Sequence, residues 1–405
     1  MLKICFISSY FSKDRENEII SNGIGAIANA NNALQYAYLK GLAINRDKYA
    51  YEIINFNMPN IGAYPLRYKK MYFKGSNYRY DEIEGENISF INLIGFKHYF
   101  KYRKLKQKLY SFLSKEINNN VIFIIYDLYE PFLSALADLK DKFTFKSFVI
   151  VPDLPGFTGV SNSFLHQILG KYYEFKLNKS LINIDGYILL CDAMQEKLPM
   201  DNKKYIVVEG IFNSIKIKTE KKANNLKILF YSGAMDERNG VINLLKAFSL
   251  LEGDDYRLIL CGLGNAVPEI QEAKKKDQRI DFRGQLPREE IIRIQCNEAT
   301  LLLNPRPAVG EFTKYSFPSK TMEYFASGKP VLMYKLPGVP NEYYKYCYCF
   351  EDCDPYSMAQ KINEVCSMDI EILRAKGKDA QNFIFESKTP EVQIEKVLNF
   401  ILNSL

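Results

Sequence analysis

Lys320 and Glu323 lie three residues apart in the segment SFPSKTMEYFASGKPVL, which runs from Ser316 to Leu332. At that spacing two side chains leave the same face of a helix. An ammonium near a helix start suits an anion, and a carboxylate one turn further on suits sugar hydroxyls. Pro318 fits a first helical turn, Ser316 or Ser319 is expected to cap it, and Gly328 followed by Pro330 closes it. Met322, Phe325 and Ala326 recur at helical spacing. The combination fits a nucleotide diphosphate carrying a ribose. An ordinary amphipathic helix between two strands of an α/β sheet accounts for the same pattern with no ligand.

Three other strand-end segments in this half carry anion-suited residues. After KILFYSG come Gly233 and then Arg238-Asn239-Gly240, a glycine-rich turn whose amides and guanidinium suit phosphate. After YRLILC come Gly262 and Gly264. That pair lacks the third glycine and the downstream acid of a nicotinamide site. After TLLLNP comes Arg306, ahead of GEFTKYSF. Each segment alone is more simply structural. Four of them in one half shift the balance toward a nucleotide diphosphate, because open α/β sheets bind ligands at strand ends.

The elements that must position these residues alternate along the chain. KICFIS, YEIINFN, ISFINLIG, VIFIIYDLY, KSFVIVPDLP, DGYILLCDAM and YIVVEGI read as strands, with a long helix over AIANANNALQYAYLKGL. NSIKIKTEKKANN is polar and basic with no apolar period, and reads as a linker. A second series follows: KILFYSG, YRLILCGLG, IDFRGQL, TLLLNP and KPVLMY, with helices between them. EVQIEKVLNFILNSL closes the chain as an amphipathic helix. The expected fold class is therefore α/β. Two Rossmann-like domains, 1–214 and 215–389, face a central cleft, and a helix over about 390–405 packs back on the first.

The chain has 405 residues, 47% hydrophobic and 25% charged, enough for two ordinary cores. No run of eighteen apolar residues marks a membrane span. The opening MLKICFISSYF is too short for a signal peptide and alternates like a strand. Eight cysteines, several far apart in apolar runs, agree with a reducing compartment. A cytoplasmic location is expected, peripheral on the inner face of the membrane. Cys347, Cys349, Cys353 and Cys366 match no zinc spacing, and His98 and His166 are the only histidines, so no metal site is expected. Net charge is +7, with eleven Lys or Arg against four acids from Arg67 to Lys108. Tyr64, Tyr68, Tyr72, Phe73, Tyr99, Phe100 and Tyr102 interleave with these cations. The 64–108 region therefore points to an anionic membrane surface and not to nucleic acid. A solvated helix face with packed tyrosines is the plainer explanation.

YSGAMDERNGVINLLKAF, LILCGLGN, IDFRGQLPREEII, LLLNPRP and FPSKTMEYFASGKPVL occur in order from Lys227 to Leu332. Together they resemble the donor domain of GT-B glycosyltransferases, particularly the retaining family 4 (group 1) proteins. LPGVPNEYY and SKTPEVQIEKVLNFI resemble the branch that builds capsule and exopolysaccharide. The N-terminal half matches more loosely.

The resemblance implies transfer of a sugar from a nucleotide-diphosphate sugar to a hydroxyl of a growing, lipid-linked cell-surface glycan, with retention at the anomeric carbon. The acceptor is then a glycan or a polyprenyl-linked sugar, and no cofactor is needed. Glu323 would hold the ribose, while Lys320, Arg238 and Arg306 would stabilise the diphosphate. Gly233, Gly262, Gly264, Phe317 and Ser319 would line the donor. Gly23 and Gly25 would approach the donor phosphates from the first domain, and Asp153 in VPDLP would lie near the reacting sugar, or else serve as a turn residue. The family's first glutamate, separated from the second by seven residues, falls on Tyr315. Tyr315, Ser316 or the backbone would then contact the sugar. The lysine common before the loop glycine is Asn239, which leaves Arg238 as the cation. Asp352-Cys353-Asp354 has the form of a metal-holding motif but reads as a surface turn. A non-catalytic scaffold of an assembly complex and a sugar-nucleotide epimerase are the alternatives.

Overall fold

The computed structural model describes residues 2–25, 29–116, 120–154, 164–213 and 226–404. The linker segment lies outside the described residues from Ser214 onward. The chain divides into two units, Met1–Ile211 with Pro390–Leu405, and Phe212–Thr389.

In the first unit the strands are β1 (Leu2–Ser8), β2 (Tyr51–Asn57), β3 (Tyr72–Phe73), β4 (Ser76–Tyr80), β5 (Ile83–Asn87), β6 (Phe90–Ile91), β7 (Val121–Tyr126), β8 (Lys146–Val151), β9 (Gly186–Leu189) and β10 (Lys204–Val207). Eight of them form one sheet in the order β10-β9-β8-β7-β1-β2-β5-β4. All its pairs are parallel except the terminal β4–β5 hairpin. VIFIIY is buried at every position of β7, as a strand covered on both faces must be. The helices are α1 (Glu16–Asn22), α2 (Asn29–Tyr49), α3 (Lys97–Leu113), α4 (Glu130–Ala137) and α5 (Phe164–Leu181).

Two expectations change here. ISFINLIG does not run as a strand of the main sheet: only Phe90–Ile91 is extended, paired antiparallel with β3. The buried Asn92 turns its amide to the Gly62 carbonyl, and Gly95 at φ +78° reverses the chain. SNGIG is likewise not an open loop after the first strand. Asn22 ends α1, and the Gly23 amide donates to the Ile19 carbonyl.

The second unit holds β11 (Lys227–Ser232), β12 (Tyr256–Cys261), β13 (Ile280–Gly284), β14 (Leu301–Asn304), β15 (Val331–Tyr334) and β16 (Tyr348–Phe350). Its helices are α6 (Val241–Ser249), α7 (Val267–Lys276), α8 (Arg288–Asn297), α9 (Lys320–Ala326), α10 (Pro355–Cys366) and α11 (Ile370–Ser387). The strand order is β13-β12-β11-β14-β15-β16, all parallel. The order reverses between β11 and β14, so the loops leaving these neighbouring strands diverge to opposite faces and open a crevice at their carboxyl ends.

The last helix, α12 (Pro390–Leu402), returns to the first unit and lies on α2. Gly41 makes this approach possible, since a Cβ there would meet Ile394 Cγ1 at 2.3 Å and the Pro390 carbonyl at 2.4 Å. Asn45 ties the pair by donating to the carbonyls of both Gly41 and Glu391 at 3.0 Å. We expect Gly41→Leu to cost about 1–3 kcal/mol by overpacking. A urea unfolding curve reads this directly, and an unchanged midpoint would mean that α12 does not rest on α2 in solution.

Candidate functional site

At the carboxyl edge of the second sheet, three loops touch backbone to backbone. A Cβ on Gly262 (φ +150°) would fall 1.8 Å from the Gly233 carbonyl oxygen, and one on Gly264 would fall 2.3 Å from that of Met235. Gly240 (φ +78°) would meet the Pro305 oxygen at 1.9 Å. Glycine is the only residue these approaches admit. The role expected for Gly233, Gly262 and Gly264 changes accordingly. The Gly233 amide is bound to the Cys261 carbonyl and that of Gly262 to Gly284. Met235, Asn239 and Gly240 also donate to protein carbonyls, and Glu237 donates to Asn265 Oδ1. These glycines bring loops together, and the side chain of the first loop that suits an anion is a cation.

That side chain is Arg238, 68% exposed and 3.9 Å from Asp236 through Nε. It forms an open concavity of about 620 Å³ with Asp236, Glu237 and Asn265. Its guanidinium carbon lies 5.9 Å from the Phe312 ring, and that of Arg306 lies 4.5 Å from the same ring. The two cations therefore share one aromatic surface. Arg306 donates to Ser316 Oγ at 2.8 Å, while its Nε is buried without a partner. Burial and the neighbouring Arg238 charge both lower its pKa. The buried Asn304 Nδ2 at the end of β14 and Thr321 Oγ1 in α9 also have no partner. Buried polar groups are normally hydrogen-bonded, so the Arg306 Nε, next to a second positive charge, is a costly arrangement for the fold alone.

Lys320 and Glu323 emerge together on α9, with Lys320 Nζ 2.9 Å from Glu323 Oε2. Arg288, from the start of α8, reaches Glu323 Oε1 at 3.2 Å. Tyr324 pins α9 to the same sheet edge, because its buried hydroxyl accepts from the Ser232 amide at 2.9 Å. The capping expected of Ser316 or Ser319 does not occur. Ser319 makes no side-chain cap, and the Ser316 hydroxyl donates to the Phe312 carbonyl while accepting from Arg306. Phe317 is also reassigned, since its ring is buried against Tyr343 at 5.4 Å and packs in the core. Tyr315 is 5% exposed with Lys314 over its ring, which leaves little of it for a sugar.

In the first unit, the Gly23 amide is committed to α1 and cannot receive a phosphate oxygen. Gly25, at φ +97°, has open space where a side chain would project. Asp153 follows β8 directly, is exposed, and has its carboxyl raised by the surrounding protein. Asp127, a residue the sequence reading passed over, stands at the end of β7. Its backbone is left-handed at φ +77° and its amide donates to the Ile150 carbonyl. Its Oδ1 accepts from the Leu128 amide at 2.7 Å. Burial pushes its pKa up to about 6, with a further contribution from the charge on Asp153. Two carboxyls thus stand together at the ends of adjacent strands.

Asp352 and Asp354 form a turn and helix cap: Asp354 accepts from the amides of Tyr356 and Ser357, and Asp352 accepts from that of Asp354. Among the described residues no three His, Cys, Asp or Glu side chains converge as metal ligands.

Asp127 gives a signed prediction. Its folded pKa lies above the ordinary carboxyl value, so the native state keeps a proton that the unfolded chain releases, and stability falls as pH rises from about 4 to about 6. Asparagine tolerates left-handed backbone as aspartate does. We therefore expect Asp127→Asn to raise the melting temperature at pH 7 and to flatten its slope over that window. Thermal unfolding at pH 4, 5, 6 and 7 reads both effects.

Residues 213–389 match the family model for glycosyl transferases group 1. A comparison with curated proteins finds no match. Solved structures share the fold along the whole chain. A UDP-forming α,α-trehalose-phosphate synthase from Burkholderia xenovorans aligns with TM-score 0.64 and 11% identity, covering 100% of this chain and 99% of that one. Anabaena HepE, solved in complex with UDP-glucose, aligns at 0.59 and 14%, covering 100% of each. The lipopolysaccharide outer core galactosyltransferase WaaB aligns at 0.60 and 15%, also covering 100% of each. The architecture is thus the GT-B glycosyltransferase fold of two Rossmann-like α/β units, with a glycosyl transferases group 1 domain over residues 213–389.

Proposed function

We propose, taking the group 1 domain as premise, that this chain transfers a sugar from a nucleotide diphosphate donor to a hydroxyl acceptor. The observation that carries the reading is the Arg238–Phe312–Arg306 arrangement at the strand-order switch. Two guanidiniums held near one ring repel each other, and the buried Nε of Arg306 lacks an acceptor. A pyrophosphate supplies both the opposing charge and the missing acceptors. Glu323 keeps capacity for ribose hydroxyls even when held by Lys320 and Arg288, since a carboxylate offers about four lone-pair sites.

As the glycosidic bond to the nucleotide breaks, the sugar becomes oxocarbenium-like and negative charge grows on the leaving phosphate. Arg238, Arg306 and Lys320 stabilise that charge. They are fixed beforehand by Phe312, Ser316 and Glu323, so little reorganisation is needed as it develops. On the acceptor side we assign the proton-accepting role to Asp127, with Asp153 beside it. A carboxyl titrating at about 6 is ionised at neutral pH and still basic enough to take a hydroxyl proton as the new bond forms. Retention, a lipid-linked acceptor and a role in capsule or exopolysaccharide assembly follow the resemblance in the sequence. The same holds for independence of metal and cofactor, whereas a place on the inner face of a membrane rests on the cations and aromatic rings of 64–108.

A thermal-shift screen of UDP-, GDP- and ADP-sugars tests donor binding, because a ligand of the native state raises its melting point. We expect one base to give a clear rise that Arg306→Gln removes. With that donor, Arg238→Ala or Lys320→Ala should each lower kcat on the order of a hundredfold, about 3 kcal/mol. The pH profile of kcat/KM should show an acid limb near 6 that Asp127→Asn abolishes. No shift with any nucleotide sugar would overturn the reading.

A further inference from the structure

The lobe of the first unit that carries β3 and β6 leaves large apolar side chains in water beside cations. Its strap, 65–74, is pinned by Tyr68 and Phe73, each 2% exposed, with Phe73 stacked on Phe90 at 5.3 Å. Between and around these pins the side chains face outward: Leu66 is 65% exposed and Met71 51%, and Arg67, Lys69, Lys70 and Lys74 are all exposed. Backbone bonds place two further segments against the strap. Ile24 donates to the Arg67 carbonyl and Lys69 to that of Asn22, which brings up the exposed Ile20 and Ile24. Ile94 donates to the Tyr64 carbonyl and Asn92 to that of Met71, which brings up the exposed Ile94, Phe96 and Tyr99.

The rest of the 64–108 region behaves otherwise. Lys101 is buried under the Phe90 ring, its ammonium bound to the Met58 and Pro59 carbonyls, while Leu105 and Leu109 face the core. The stretches 64–74 and 94–99, with the end of α1 added, carry the exposed apolar tips beside cations, while Arg79, Tyr80, Arg103 and Lys104 are exposed outside them.

Chemistry narrows the occupant. Aliphatic tips such as Ile24, Leu66 and Met71 offer no stacking surface to nucleobases, which single-stranded nucleic acid requires. Protein interfaces exclude lysine from their apolar centres, whereas here Arg67, Lys69 and Lys70 fall between Leu66 and Met71. A bilayer takes both kinds at once, since apolar tips enter the acyl boundary while cations remain among the phosphates. Glu18, the acid nearest these cations, is held by Arg15 and Lys70 and leaves the balance positive.

We propose that this lobe docks on an anionic phospholipid surface through Ile24, Leu66, Met71, Ile94 and Phe96, with Arg67, Lys69 and Lys74 at the headgroups. The interaction is independent of the transfer chemistry. Among the described residues no helix is long and apolar enough to cross a membrane, so the contact is interfacial.

The chain contains no tryptophan, which makes one introduced indole a clean reporter. Phe96→Trp in the full chain, titrated with vesicles of phosphatidylglycerol and phosphatidylcholine, should shift its emission to the blue. Pure phosphatidylcholine should give little shift, and Ile372→Trp, on the exposed side of α11, should give none with either. Arg67→Gln with Lys74→Gln in the reporter should weaken partitioning roughly twenty-five-fold, a factor of five per charge. Met71→Glu should weaken flotation with the same vesicles while the circular dichroism of the protein stays unchanged. An unshifted Phe96→Trp spectrum at saturating anionic lipid would overturn the proposal. An equal shift with neutral vesicles, or with single-stranded DNA in their place, would overturn it too.

Discussion

The guanidinium carbons of Arg238 and Arg306, 5.9 and 4.5 Å from one phenyl ring, are the arrangement on which the donor chemistry proposed for the second unit depends. Without a ligand they repel, and Arg306 is partly withdrawn from water with one donor unbound. The cost is borne by the surrounding fold. Ser316 fixes Arg306 from one side, and the 3-10 turn Glu311–Thr313 presents Phe312 to both cations. Such arrangements persist where function needs a charge placed before its partner arrives.

The convergence itself rests on hydrogen atoms. Gly233, Gly240, Gly262 and Gly264 bring the loops after β11, β12 and β14 so close that a single methyl group at three of them would force a backbone apart. The Gly233 amide ties its loop to the Cys261 carbonyl, that of Gly262 goes to Gly284 at the end of β13, and that of Gly240 stays within its own loop on Glu237. The division of labour is clear: glycines set the distance, and cationic side chains from different loops supply the charge. A glycine-rich loop is often read as a phosphate cradle, and in this sheet its glycines instead set how closely the loops approach.

This division also explains what the sequence revealed. Buried strands such as VIFIIY and KILFYS, and the Lys320/Glu323 spacing, were legible because each is a local pattern fixed by period 2 or 3.6. Arg238 and Arg306 could be nominated as cations, yet nothing in the chain says that a single ring, Phe312, joins them. Arg288 lies thirty-five residues before the Glu323 it contacts, so no spacing rule connects the two. The β4–β5 hairpin was hidden for a related reason. Only Tyr78 and Ile83 of SNYRYDEIEGEN strongly imply a core, and the rest reads as a charged tract. ISFINLIG misled in the opposite direction, because β-branched composition cannot foresee that Asn92 will be buried and turned to Gly62.

Asp127 shows a constraint of another kind. A carboxylate at the end of a buried strand and beside a second carboxyl is costly to ionise, although the Leu128 amide offsets part of that cost. Asparagine would keep the backbone and lose the repulsion. Aspartate in such a place is retained at a thermodynamic loss, and losses of this type collect where a proton must change hands near neutral pH. The strand end therefore carries its own signature: the side chain that makes the fold worse is the one whose titration the chemistry can use.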